Sequence, residues 1–156
     1  MSSLRVGIGV DAHAFEDGVP LVLGGVRFDS PRGLAGHSDG DVITHALIDA
    51  VLGAAGLGDI GALFPSDSST PEGISSLDLL AEAVARVRGA GYWVVNADCV
   101  LVGEAPRIAP RRSELERTLS GLVGAPVSVR ATTTDRLGFT GRGEGLAAQA
   151  VALVSA

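Results

Sequence analysis

The sequence predicts an α/β sandwich: a mixed sheet with helices on one face and an inserted β-hairpin. Three observations carry this expectation. Apolar stretches of strand character are interleaved with stretches of helical period. Hydrophobic residues make up 46% of the chain and aromatics only 4%, so Ala, Val, Leu and Gly must fill closely packed layers. The 156 residues fit one compact domain, 1–156, that buries roughly 70% of its unfolded surface.

Leu4 to Asp11 reads as the first strand. Pro20 to Phe28 carries Gly24-Gly25 between short apolar runs, a hairpin signal. Ser38 to Gly56 reads as a helix, with Ser38 as cap and Asp41 completing a capping box. Residues 57–74 are rich in Gly, Ser, Asp and Pro and read as a loop. Ser76 opens a second helix with Leu77, Leu80, Val84 and Val87 on one stripe, ended by Gly89 or Gly91. Tyr92 to Val102 is a long strand. A third helix is expected from Pro110 to Leu122, with a Ser113-x-x-Glu116 box. Val127, Val129 and Ala131 alternate in a strand over Pro126 to Thr132. The loop Thr133 to Gly143 is expected to lead into a last helix ending at Ser155.

Charge and composition exclude several functions. A net charge of −6 without a basic run argues against nucleic acid as a partner. All 12 basic residues are arginine, so neither a lysine Schiff base nor a Walker A lysine is available. The single Cys99 permits no internal disulfide and reads as a buried thiol in a reducing compartment. With no cleavable signal and no apolar span long enough for a bilayer, a cytoplasmic protein is expected.

Metal chemistry is the first functional expectation. Asp11 and His13 alternate onto the same face of the first strand, and His45 follows on a helix. Two imidazoles and a carboxylate form a catalytic zinc set, with the fourth position left for water or substrate. Asp41 and Asp49, four residues to either side of His45, are candidates to hold its second ring nitrogen. Taken singly, each histidine also reads as a core or surface residue satisfied by its neighbours. His37 and Ser38 precede the helix, where backbone N–H groups attract anions, though an ordinary capped helix fits the same residues. Asp59 sits in a Gly58-Asp59-Ile60-Gly61 turn and could bind hydroxyls or only shape that turn. Thr132, Thr133, Thr134 and Asp135, followed by a glycine-rich turn to Gly145, suit either a phosphate cradle or a structural turn. Asp135 could take a magnesium ion.

Taken together these blocks resemble the 2-C-methyl-D-erythritol 2,4-cyclodiphosphate synthase family. The resemblance runs through Asp11-x-His13, the 37–41 block His-Ser-Asp-Gly-Asp, His45-Ala46-Leu47, Gly58-Asp59-Ile60-Gly61, Phe64-Pro65, Ala105-Pro106 and residues 131–145. It covers essentially the whole chain, in order, and the 37–41 and 137–145 blocks are highly specific. The family implies conversion of 4-diphosphocytidyl-2-C-methyl-D-erythritol 2-phosphate to a cyclic 2,4-diphosphate and CMP, on the methylerythritol phosphate route to isoprenoids. It implies a metal-assisted phosphorus–oxygen lyase built on a ferredoxin-like sheet, assembled as a homotrimer with sites shared between subunits.

By resemblance, Asp11, His13 and His45 match zinc ligands, and Asp135 the ligand of a second ion, magnesium or manganese. His37 and Thr133 match transition-state residues, Ser38 a diphosphate contact, and Asp59, Ile60 and Gly61 the methylerythritol contacts. Phe64 and Asp67 fall among the implied substrate-binding residues. Ala105, Pro106, Arg107 and Ile108, with Thr132 and Thr134, match the cytidine diphosphate site. Phe139 and Arg142 lie near the implied subunit junction. The chain departs from the family where Asp135 replaces the usual Glu and Arg107 the common Lys, and the 66–73 segment is less acidic at its start. Two other functions use the same inventory: a zinc-dependent phosphoesterase, and a non-catalytic binder of isoprenyl diphosphates.

Overall fold

Gly7 and Gly9 let a helix lie directly on the sheet. A Cβ added at either would stand 2.0 Å from the Ala50 carbonyl oxygen or 1.9 Å from that of Ala46. The computed structural model describes residues 2–156. Strand β1 (Leu4–Asp17) carries both glycines, and helix α1 (Val42–Ala55) presents Ala46, Ala50 and Ala54 to them. Small residues on both surfaces bring the backbones together, which is why aromatics are not needed in this core.

The main sheet has five strands in the order β4-β1-β7-β5-β6, where β4 is Arg32–Leu34, β5 is Trp93–Val102, β6 is Val127–Thr132 and β7 is Gly145–Ser155. Only β5 and β6 run parallel, so the sheet is mixed. The predicted hairpin is β2 (Leu21–Leu23) and β3 (Val26–Phe28), turning through Gly24 and Gly25 at φ 58° and 75°. Positive φ at both turn positions suits the right-handed twist of a two-residue hairpin. Helices α1, α3 (Ser76–Gly89) and α4 (Arg112–Val123) bury Leu47, Ile48, Leu80, Leu115 and Leu119 between themselves and the sheet. The other sheet face leaves Val6, Ile8 and Val10 exposed.

Several expectations are corrected. The first strand runs on to Asp17 because Phe15 to Asp17 pair with β4, so Asp11 and His13 sit inside the strand and not at its end. The first helix begins at Val42 with Asp41 as its cap: the Asp41 carboxylate accepts the Thr44 N–H. Asp41 also accepts Gly24 N–H at 2.9 Å and Gly25 N–H at 2.7 Å, tying the hairpin to the helix. The 57–74 loop holds a short helix α2 (Ile60–Leu63) capped by Asp59. The Ser113–Glu116 box does not form. Instead a 3-10 turn (Ala109–Arg111) leads into α4, and Glu116 accepts the Val129 N–H. Most importantly, the expected last helix is strand β7, preceded by a one-turn helix α5 (Gly138–Gly141). Leu146, Ala148, Ala150, Ala152 and Val154 are buried at a period of two. Their alanines favour helix intrinsically, but β1 and β5 pair with this segment along its two edges.

Candidate metal centre and active site

Odd-numbered residues of β1 face the helices, so Asp11 and His13 follow Gly7 and Gly9 onto the α1 side. His45 meets them from the first turn and a half of α1. The Asp11 Oδ2 atom lies 2.8 Å from His13 Nε2 and 3.2 Å from His45 Nδ1, and the two ring nitrogens are 3.2 Å apart. A tetrahedral ion with bonds of about 2.0–2.1 Å would hold its ligand atoms about 3.3 Å apart. Two sides of the triangle, at 3.2 Å, match that spacing and the third, at 2.8 Å, is shorter.

The protonation of the rings fits as well. His13 Nδ1 lies 2.6 Å from the Ala35 carbonyl oxygen. A carbonyl only accepts, so Nδ1 carries the proton and Nε2 is left as a donor atom for a metal. With no metal bound, protons on the facing ring nitrogens take the ion's place: burial works to raise the Asp11 carboxyl, but hydrogen bonds and charge from His13 and His45 outweigh it and bring it from 3.8 to about 2, and a metal would displace those protons. The hydrogen bond to Asp11 in turn raises His13 above its ordinary 6.5, against the effect of burial. Among the described residues, this trio is the group of three whose ligand atoms converge, within 4.8 Å. An ionised carboxylate with two imidazoles suits a divalent cation of zinc type.

The trio opens into a cavity of about 190 Å³. His37 and Ser38 line it together with Ile60, Gly61 and Phe64. His37 Nε2 donates to the Thr70 carbonyl at 2.6 Å, which holds the 66–75 segment against the 37–39 turn. Gly73 N–H adds a second tie to the His37 carbonyl at 2.7 Å. Asp59 caps α2 by accepting the Ala62 N–H at 2.8 Å and does not line this cavity. Asp67 is exposed: two hydrogen bonds from Ser69 hold its carboxyl below the usual range.

Neither aspartate expected to orient His45 does so. Asp41 is fully buried beneath the hairpin, and burial raises its carboxyl against the Thr44 and Gly25 hydrogen bonds. Asp49 accepts the Ile60 N–H at 2.8 Å, linking α1 to α2. The groups on His45 Nε2 are instead the hydroxyls of Ser76, at 2.8 Å, and Ser38, at 2.9 Å. Sequence reading gave Ser76 no role beyond starting a helix. The available signal was Asp39, a carboxylate in the 37–41 block, to which the Ser76 hydroxyl donates.

The second polar stretch forms a separate group. Pro106, Arg107, Ile108, Thr132 and Thr133 line another cavity of about 190 Å³, at the ends of β5 and β6. Ala105 lies in a neighbouring cleft with Phe15 and Arg32. The Thr134 hydroxyl donates to the Leu137 carbonyl at 2.6 Å, so it shapes the turn. Asp135 (φ 52°) and Arg136 (φ 67°) both occupy the left-handed region, where a short acidic side chain is tolerated better than most. Asp135 is exposed and is not part of the converging trio. Phe139 is exposed, and Arg142 pairs with Glu144 at 2.8 Å. Two separate cavities of this chain are therefore lined by different subsets of the predicted residues.

Comparison with known proteins agrees with this arrangement. The chain is 54% identical over 160 residues to the 2-C-methyl-D-erythritol 2,4-cyclodiphosphate synthase of Rubrobacter xylanophilus, covering 99% of this chain and 96% of the relative. It is 52% identical over 153 residues to the bifunctional enzyme IspD/IspF of Clavibacter michiganensis, where it covers 98% of this chain but only 37% of the longer protein. A solved 2C-methyl-D-erythritol-2,4-cyclodiphosphate synthase in its CDP-bound form superposes with a TM-score of 0.87 at 39% identity, over 96% of this chain and 99% of that one. Residues 4–155 match the YgbB family, and with these relatives the chain belongs to that family.

Proposed function

We propose that this chain, through one domain spanning 1–156, converts 4-diphosphocytidyl-2-C-methyl-D-erythritol 2-phosphate to the 2,4-cyclodiphosphate with release of CMP. The observation that carries the reading is the convergence of Asp11, His13 and His45 beside a cavity walled by His37 and Ser38. The relatives' names and the CDP-bound neighbour support the substrate class.

Asp11, His13 and His45 would hold zinc, and Asp135 would contribute to a site for magnesium or manganese. Bound there, such ions offset the repulsion between two phosphates and polarise the phosphorus under attack. The protein's own part is placement. Ser38 and His37, which line the cavity beside the trio, would contact the diphosphate, and Thr133 would donate to it from the other cavity. Ile60, Gly61 and Phe64 give an apolar wall for the methylerythritol carbons, with Asp59 nearby for its hydroxyls. Pro106, Arg107, Ile108, Thr132 and Thr134 would bind the cytidine diphosphate end, with Arg107 supplying a forked cation. Holding both phosphates at reacting distance can supply roughly 7–11 kcal/mol of the barrier.

One chain divides these groups between two cavities, which supports a homotrimer in which neighbouring copies complete each site. The exposed apolar face of the sheet supports the same assembly. Phe139 and Arg142 would then lie near the junction.

Turnover provides the test. Chelation is expected to abolish CMP release, and zinc with magnesium to restore it. His45→Ala should lose bound zinc and turnover together, and Asp135→Ala should weaken the magnesium dependence more than cytidine affinity. Full activity in chelator-stripped protein would overturn the assignment, and a hydrolysed monophosphate in place of the cyclic product would favour a phosphoesterase.

A further inference from the structure

Ser76 is fully buried at the first position of α3, in contact with a ring that the site depends on. Its hydroxyl is 2.8 Å from His45 Nε2 and also donates to Asp39 Oδ1. Asp39 accepts from two further donors: Ser76 N–H reaches Oδ2 at 2.9 Å, and Asp41 N–H reaches Oδ1 at 3.1 Å. A carboxylate only accepts, and a serine hydroxyl has one proton to give. That proton goes to Asp39, so the Ser76 oxygen must accept from His45 Nε2–H. The neutral ring then carries its proton on Nε2 and presents a bare Nδ1 toward Asp11 and His13.

We propose that Ser76, held by Asp39, is a positioning residue that fixes both the orientation and the tautomer of His45. The inference rests on the metal-centre reading above and deepens it. It makes the Asp39–Ser76–His45 chain the counterpart, on the helical side, of the Ala35 carbonyl that locks His13 on the strand side. Two acceptor-only groups, a backbone carbonyl and a carboxylate relayed through a hydroxyl, thereby aim two nitrogen lone pairs at one point. Ser38 Oγ, 2.9 Å from the same Nε2, lies on the cavity wall. Because Ser76 begins α3, the arrangement also ties the end of the 66–75 segment to a metal ligand.

Zinc affinity of the purified full chain, measured by competition with a chromophoric chelator, tests this directly. Ser76→Ala is expected to weaken zinc binding by about 10- to 100-fold, the usual effect of removing the partner of a ligating histidine. Asp39→Asn should move affinity in the same direction. In the cobalt(II)-loaded variants the visible absorption bands should shift, since His45 is freed to rotate. Ser75→Ala is the control. Ser75 caps α3 through Leu77 N–H and does not touch His45, so it should lower the melting temperature while leaving zinc affinity and the cobalt spectrum unchanged. Zinc affinity within twofold of the parent in both Ser76→Ala and Asp39→Asn, with unaltered cobalt bands, would overturn the relay. A parent protein that takes up no zinc would instead overturn the metal-centre reading itself.

Discussion

At the scale of single residues, environment decides what each titratable group does. The Asp11 carboxyl is held at about 2 in the fold against an ordinary 3.8. Its pKa is lowered, so its contribution to stability is present above pH 3.8 and is lost as pH falls toward 2. Urea unfolding of the metal-free protein across that range should show a falling midpoint, and Asp11→Asn should flatten that fall. Cys99 behaves oppositely. Burial, with Asp98 and Asp41 nearby, pushes its thiol up to about 12. Because the thiolate is the reactive form, iodoacetamide at neutral pH should label the native protein far more slowly than the urea-unfolded chain. Rapid labelling of native protein would show that Cys99 is not sealed in the core. The sequence made the ligand types legible, since two of its three histidines, His13 and His45, fall at ligand spacing with Asp11. It could not supply their partners: Ser76 is 31 positions from His45 and Ala35 is 22 from His13, distances that only folding closes.

At the scale of elements, short polar groups connect what the apolar pattern packs. The buried Asp41 carboxylate accepts from Gly24, Gly25 and Thr44 N–H and from the Thr44 hydroxyl at 2.7 Å. Asp41→Ala would leave several buried donors unpaired, and a loss of about 3 kcal/mol or more is expected in chemical denaturation. Gly9→Ala should also destabilise, by about 1–3 kcal/mol, since its Cβ would overlap the Ala46 carbonyl and push α1 off the sheet. A variant as stable as the parent would mean that α1 can shift without cost. Helices α1 and α3 and the hairpin were legible because their apolar spacing and glycine turns are strong local signals. The last strand was not. Its run of alanines favours helix locally, and only the pairing with β1 and β5 makes it extended.

At the scale of the whole molecule, the sheet is covered on one side only. Val6 and Ile8 are each 67% exposed, Val10 is 60% and Val151 is 46%, a contiguous apolar surface on β1 and β7. Such a surface marks an interaction site more often than a free face. If the proposed trimer forms through this face, Ile8→Glu is expected to give monomer in sedimentation velocity and to lose turnover, while Asp11, His13 and His45 keep their affinity for zinc. A monomeric parent would count against completion of the site by neighbouring copies. The sequence by itself determined the ligand chemistry, the layered α/β character and the family, because these rest on residue type, order and short-range period. Tertiary structure alone decided that β7 is a strand, that Asp41 staples the hairpin while Ser76 holds His45, and that one chain divides its polar residues between two cavities. Hydrogen-bond partners and burial belong to segments distant along the chain, and no local pattern encodes which of them will meet.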